Sequence, residues 1–78
     1  MLPIEIEKLI LAKMPNAQVN VFTEDNHHFN AVIVNNEFTG LSLVNRQRQV
    51  YAAINDQISS GEIHAISFKT LTEEEVKK

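Results

Sequence analysis

No cysteine occurs anywhere in this chain, and for 78 residues that absence decides how the molecule can be held together. Domains of this size bury a marginal core and are commonly stapled by disulfides or by thiolate-bound metal. Both staples are excluded, so the fold must rest on packing alone. A hydrophobic fraction of 44% suffices for that and is too high for a disordered chain. With no repeat, linker or low-complexity stretch, residues 1–78 are expected to form one domain.

Periodicity then supplies the elements. Pro3 suits a first helical turn, where its missing N–H costs nothing, and Glu5 and Glu7 favour the positive end of a helix. Ile6, Leu9, Ile10, Lys13 and Met14 share one mostly apolar face, and Pro15-Asn16 ends the helix. Ala17, Val19 and Val21 alternate as a half-buried strand does. "TEDNHH" reads as a turn and "FNAVIVNN" as the antiparallel partner strand, since the link is short. Gly40 marks another turn, and Ser42 can cap the helix whose stripe is Val50, Ile54 and Ile58 with Tyr51 beside it. Gly61 is placed to supply the left-handed residue ending that helix. "EIHAISF" reads as a third strand, with His64, Ile66 and Phe68 on one face and Ile63, Ala65 and Ser67 on the other. Thr72 and Glu75 have capping-box spacing for a short terminal helix.

The order αββαβα predicts an α+β fold. Three strands cannot bury enough by themselves, so helices must cover one face of the sheet. The third strand arrives through a helical crossover and is expected to run parallel to a neighbour. The N-terminal stretch "MLPIEIEKLILAKMP" carries Glu5, Glu7, Lys8 and Lys13 and lacks a basic start followed by an unbroken apolar run. Neither a signal peptide nor a membrane span is expected, and the expected location is cytoplasmic.

Few chemistries survive inspection. Ser42, Ser59, Ser60 or Ser67 could pair with His64, but no serine sits in a nucleophile elbow, and with two glycines there is no phosphate-cradling loop. No enzyme is expected. A net charge of −3 opposes nonspecific nucleic-acid binding, although Arg46 and Arg48 near a helix start form a local basic pair. The preceding "TGLS" lacks the GxxG clamp of KH domains, and a solvated helix face is the plainer explanation of the pair. The three histidines are His27, His28 and His64. Adjacent residues in a strand point to opposite faces, so His27 and His28 can bind one ion only from a turn. Their plain alternative is a solvated turn, and that of His64 a partly buried strand histidine with a satisfied hydrogen bond. A chain without thiolates is not expected to hold an iron–sulfur cluster alone, yet it can lend one or two imidazoles to a cluster whose other ligands come from another molecule.

Several blocks, in order, resemble the BolA family: His28-Phe29, Phe38-Thr39-Gly40, Arg46-Gln47-Arg48, Val50-Tyr51, Ile63-His64-Ala65 and Lys69-Thr70-Leu71-Thr72. The blocks run from residue 28 to 72, and the resemblance as a whole covers roughly residues 4–75. The resemblance implies an αββαβ(α) fold similar to class II KH domains, with a three-stranded mixed sheet. It implies a cytosolic monothiol glutaredoxin as partner and a 2Fe-2S cluster shared with it and with glutathione, and none on the isolated chain, which is expected to be monomeric when free. The histidine of the Ile-His-Ala block, here His64, would be one ligand. The second comes in the family from a Cys or His in the loop between the first two strands. Asp25 lies in that region here, leaving His27 first and His28 next as substitutes. The family is also described as including stress-linked, DNA-binding transcription regulators, a use that would fall on Arg46, Arg48 and Lys69. Gln47 stands where the family often has a histidine, which weakens the local positive charge, and Val76 lies near the position of a missing tryptophan.

Overall fold

The computed structural model describes residues 1–78. In chain order the elements are helix α1 (Pro3–Lys13), strand β1 (Gln18–Thr23), strand β2 (His28–Val34), a 3-10 turn at Asn36–Phe38, helix α2 (Leu43–Ser60), strand β3 (Ala65–Leu71) and helix α3 (Glu73–Val76). The α+β architecture expected from periodicity is present. The strands lie in the order β1-β2-β3. β1 and β2 pair antiparallel, with Val21 opposite Ala31. β2 and β3 pair parallel, with Phe29 opposite Ile66 and Ala31 opposite Phe68.

One face of the sheet is covered by α1 and α2. β2 sends Phe29, Ala31 and Ile33 into the core, and α1 meets them with Ile6 and Ile10. Met14, just past the end of α1, is also buried, whereas Lys13, expected on the same face, is exposed. α1 starts at Pro3, where the Leu2 N–H donates to Glu5 Oε1 at 2.8 Å. It stops before Pro15, whose ring disfavours a helical conformation at Met14. α2 buries Val50 and Ile54 completely, each side chain contributing about 1.5–3 kcal/mol by leaving water. Ser42 caps α2 by accepting the Asn45 N–H at 3.2 Å, and Gly61 ends it at φ 83°. That φ lies in the left-handed region, which glycine enters without a steric penalty. The capping box of α3 is present, as the Thr72–Glu75 spacing predicts.

The third strand departs from expectation. Pairing begins at Ala65 and runs to Leu71, so residues 62–64 are not strand. After Gly61 the chain still answers to the helix end, because the Ile63 N–H donates to the Gln57 carbonyl at 3.1 Å. Ile63 is drawn into the core, 1% exposed, although strict alternation would put it on the outer face. His64 is left outside at the point where the chain turns into the sheet. The other face of the sheet is open and carries Phe22, Asn30, Val32, Ser67 and Lys69 around a shallow hollow. No helix is long and apolar enough to cross a membrane.

Candidate metal-ligand site

The parallel β2–β3 ladder starts with His28 beside Ala65. The residues immediately before that pair are His27 and His64, so the register brings together two histidines far apart in sequence. Their ring centres are 6.1 Å apart with the planes inclined at 62°. Both residues are exposed, and neither ring takes part in a hydrogen bond within the chain. The partly buried, hydrogen-bonded His64 is therefore not what the structure contains: the exit of α2 buries Ile63 in its place.

His28 is placed differently. It opens β2 on the outer face, and its Nδ1 lies 2.9 Å from Asp25 Oδ2. The loop Glu24–His27 is organised around Asp25, whose Oδ1 accepts the N–H groups of His27 and His28, each at 2.9 Å. Thr23 Oγ1 adds a second tie, accepting the Asn26 N–H at 3.0 Å and donating to the His28 carbonyl at 2.7 Å. Asn26 takes the left-handed φ of 63° that this turn needs, a conformation asparagine tolerates better than most side chains. The hydrogen bonds from the His28 backbone and ring, followed by that from the His27 backbone, hold the Asp25 carboxyl well below the usual carboxylate range.

Two imidazoles bound to one ion, each nitrogen about 2 Å from it, bring their ring centres to roughly 5 Å apart. The His27 and His64 rings are about an ångström beyond that, a gap that staggered rotation of exposed side chains closes. No group of three or more His, Asp or Glu side chains gathers anywhere in the chain. The donor set therefore fits one two-nitrogen corner, as in the two-histidine iron of Rieske-type clusters, and thiolates would have to come from elsewhere. Beside His64 lies an apolar hollow of about 240 Å³ lined by Tyr51, Ile58, Ile63, Ala65 and Ile66. Tyr51 stacks edge-on against Phe68 with ring centres 4.9 Å apart, which stiffens that wall.

The other candidate residues do not converge. Arg46, expected on the surface, is 7% exposed. Its Nε donates to the Leu41 carbonyl at 3.1 Å, and its Nη1 donates to the Thr70 carbonyl at 3.3 Å and to Glu75 Oε1 at 2.7 Å. The guanidinium also lies 5.8 Å from the centre of the Phe38 ring. Arg46 therefore fastens α3 and the end of β3 to the start of α2, with Nε and Nη1 committed inside the chain and only Nη2 left without a partner. Arg48 is exposed on the helix layer and Lys69 on the open face of the sheet, so the two form no common basic surface. Ser42 caps α2, Ser60 donates to the Gln57 carbonyl at 3.1 Å, and Ser67 faces outward from β3. Leu43 and Val44 are 65% and 60% exposed in the first turn of α2, although Leu43, seven residues before Val50, is in line with the Val50–Ile54–Ile58 stripe.

Comparison with known proteins follows the same lines. The family model described as BolA-like protein matches residues 9–75. A protein of the rpoN-murA intergenic region of Acinetobacter guillouiae is 38% identical over 74 residues, covering 95% of this chain and 88% of that protein. The acid stress protein IbaG of Escherichia coli K12 is 32% identical over 68 residues, covering 87% of this chain and 80% of IbaG. Among solved structures, a BolA protein homologue from Coxiella burnetii superposes with a TM-score of 0.87 at 32% identity, covering 100% of this chain and 99% of that one. The BolA domain of SufE1 from Arabidopsis thaliana gives 0.80 at 30% identity, covering 94% of this chain and 93% of that domain.

Proposed function

The chain belongs to the BolA-like family, and from that footing we propose that it is a non-enzymatic adaptor for iron–sulfur trafficking or iron- and stress-linked regulation. It docks on a monothiol glutaredoxin in the cytoplasm. His64 and His27 hold one corner of a 2Fe-2S cluster whose remaining ligands are thiolates of the glutaredoxin and glutathione. The observation that carries this reading is the facing pair of exposed, unengaged imidazoles 6.1 Å apart at the open edge of the β2–β3 ladder. Imidazole binds iron through a neutral nitrogen, and neither ring is committed elsewhere. The open hollow beside His64, lined mostly by Tyr51, Ile58, Ile63, Ala65 and Ile66, gives the partner a place to seat a side chain next to the metal corner. The supporting chemistry is a donor set of two nitrogens on a chain without thiolates.

The test is a titration of the protein into cluster-loaded glutaredoxin, followed by visible circular dichroism. A new spectrum saturating at one protein per glutaredoxin is expected, lost in His64→Ala. An identical spectrum with His64→Ala and wild type would remove the ligand assignment. Unchanged spectra throughout the titration would remove the adaptor reading itself.

A further inference from the structure

Asp25 lies in the loop where a ligand side chain would otherwise be sought, and both oxygens of its half-exposed carboxylate have partners within the chain. One oxygen accepts two consecutive backbone N–H groups, His27 and His28, each at 2.9 Å. The other lies 2.9 Å from the His28 ring. We propose that Asp25 is a positioning residue that aims His27 at His64 as the loop ligand; this rests on the ligand pair assigned above.

The two backbone hydrogen bonds carry the proposal. The paired N–H bonds fix the backbone of His27 immediately before the strand, so that its ring faces His64 across the extension of the β2–β3 register. What keeps His28 out of the pair is strand geometry, which directs its side chain to the open face of the sheet; the contact of its Nδ1 with Asp25 leaves Nε2 uncommitted. A carboxylate that accepts two adjacent amides sets the direction of the side chain between them much as a cap sets the first turn of a helix. Groups that orient metal ligands in this way commonly change metal affinity by about 10–100-fold when removed.

The experiment uses the isolated full-length chain, zinc ion as the probe and fixed neutral pH. Histidine ring resonances are followed by carbon–proton correlation NMR as zinc is added to wild type, Asp25→Asn, Asp25→Ala, His28→Ala and His64→Ala. In the wild type, His27 and His64 should shift together and His28 should not. Asp25→Asn keeps an oxygen to accept the two N–H groups and should bind zinc within about threefold of wild type, whereas Asp25→Ala should lose about tenfold or more, with its core methyl resonances and melting temperature showing an intact fold. His28→Ala should leave binding unchanged. If Asp25→Asn falls as far as Asp25→Ala, the carboxylate acts as a charge or a direct ligand and the positioning role is wrong. If Asp25→Ala binds as wild type does, Asp25 has no part in the site. The same variants mixed with cluster-loaded glutaredoxin separate the two claims. A His64-dependent spectrum that Asp25→Ala leaves intact overturns the positioning role and keeps the adaptor. Absence of any His64-dependent signal, with zinc or with cluster, overturns both.

Discussion

The two ends of one small sheet do opposite things with polar side chains. At the end where β2 and β3 begin, His27 and His64 are exposed and unengaged, and the loop around them is held by the Asp25 carboxylate, which accepts backbone N–H groups, and by the Thr23 hydroxyl, which donates to the His28 carbonyl. At the end where the same strands finish, Arg46 is buried and all its interactions are internal, to Leu41, Thr70, Glu75 and the Phe38 ring. A candidate ligand expected to be half-buried is free, and a candidate surface cation is locked. The difference teaches that in a domain without covalent staples one end of the sheet is closed by a polar clamp, and the other can be left open for chemistry.

Substitutions at the closed end should therefore cost stability, and those at the open end should not. The largest effect is expected for Phe38→Ala, which empties a fully buried site and should destabilise the fold by about 3–5 kcal/mol in urea unfolding. A loss below about 1 kcal/mol would mean that the closed end is not packed as described. Arg46→Ala should follow, at about 2–3 kcal/mol, since hydrogen bonds made by a charged group are each worth more than neutral ones. Arg48→Ala, exposed on the same helix, should fall within about 0.5 kcal/mol of wild type, and equal effects of the two arginine variants would erase the contrast between them. His64→Ala should likewise change the unfolding free energy by less than about 0.5 kcal/mol, because its ring contacts solvent.

A smaller effect concerns acid. The Arg46 side chain, then the Thr72 N–H, hold the Glu75 carboxyl below its ordinary value of 4.5. A carboxyl depressed in the folded state binds its proton more readily in the unfolded one. Its contribution is thus complete above the ordinary carboxylate range and is lost as pH falls through it toward the folded value. Glu75→Gln should flatten the decline of melting temperature below about pH 4.5 and leave neutral stability slightly lower. A decline as steep as that of wild type would show that the Arg46–Glu75 contact does not persist in solution.

What could be read from the sequence follows the range of the interactions. Ser42, Gly61 and the Thr72–Glu75 box were legible because caps and left-handed turns are decided within three or four residues. The helical stripe Val50–Ile54 and the alternation of Val19 and Val21 were legible for the same reason. The burial of Arg46 was not, since its partners Thr70 and Glu75 lie 24 and 29 residues away, and a basic pair at a helix start carries no sign of them. His64 shows an intermediate case. Its block marked it as a ligand by resemblance, but its exposure depends on how Gly61 and the Ile63–Gln57 hydrogen bond deliver the chain to β3, which strand alternation alone gets wrong. The ranking of His27 ahead of His28 came from the resemblance, whereas the geometry bearing on it came into view only with the β2–β3 register, which sets His28 beside Ala65 and brings the His27 ring within 6.1 Å of that of His64.

The ligand pair can be examined most directly through its nitrogens. The cluster formed with glutaredoxin, once reduced by one electron, should show strong couplings to histidine nitrogen in pulsed electron paramagnetic resonance, and nitrogen-15 labelling confined to the histidines of this chain should change them. Two such nitrogens are expected, one lost in His64→Ala and the other in His27→Ala, with His28→Ala indistinguishable from wild type. A cluster whose nitrogen couplings are absent, or survive the His64 and His27 variants and vanish with His28→Ala, would contradict the assignment of the open end of the sheet as the metal corner.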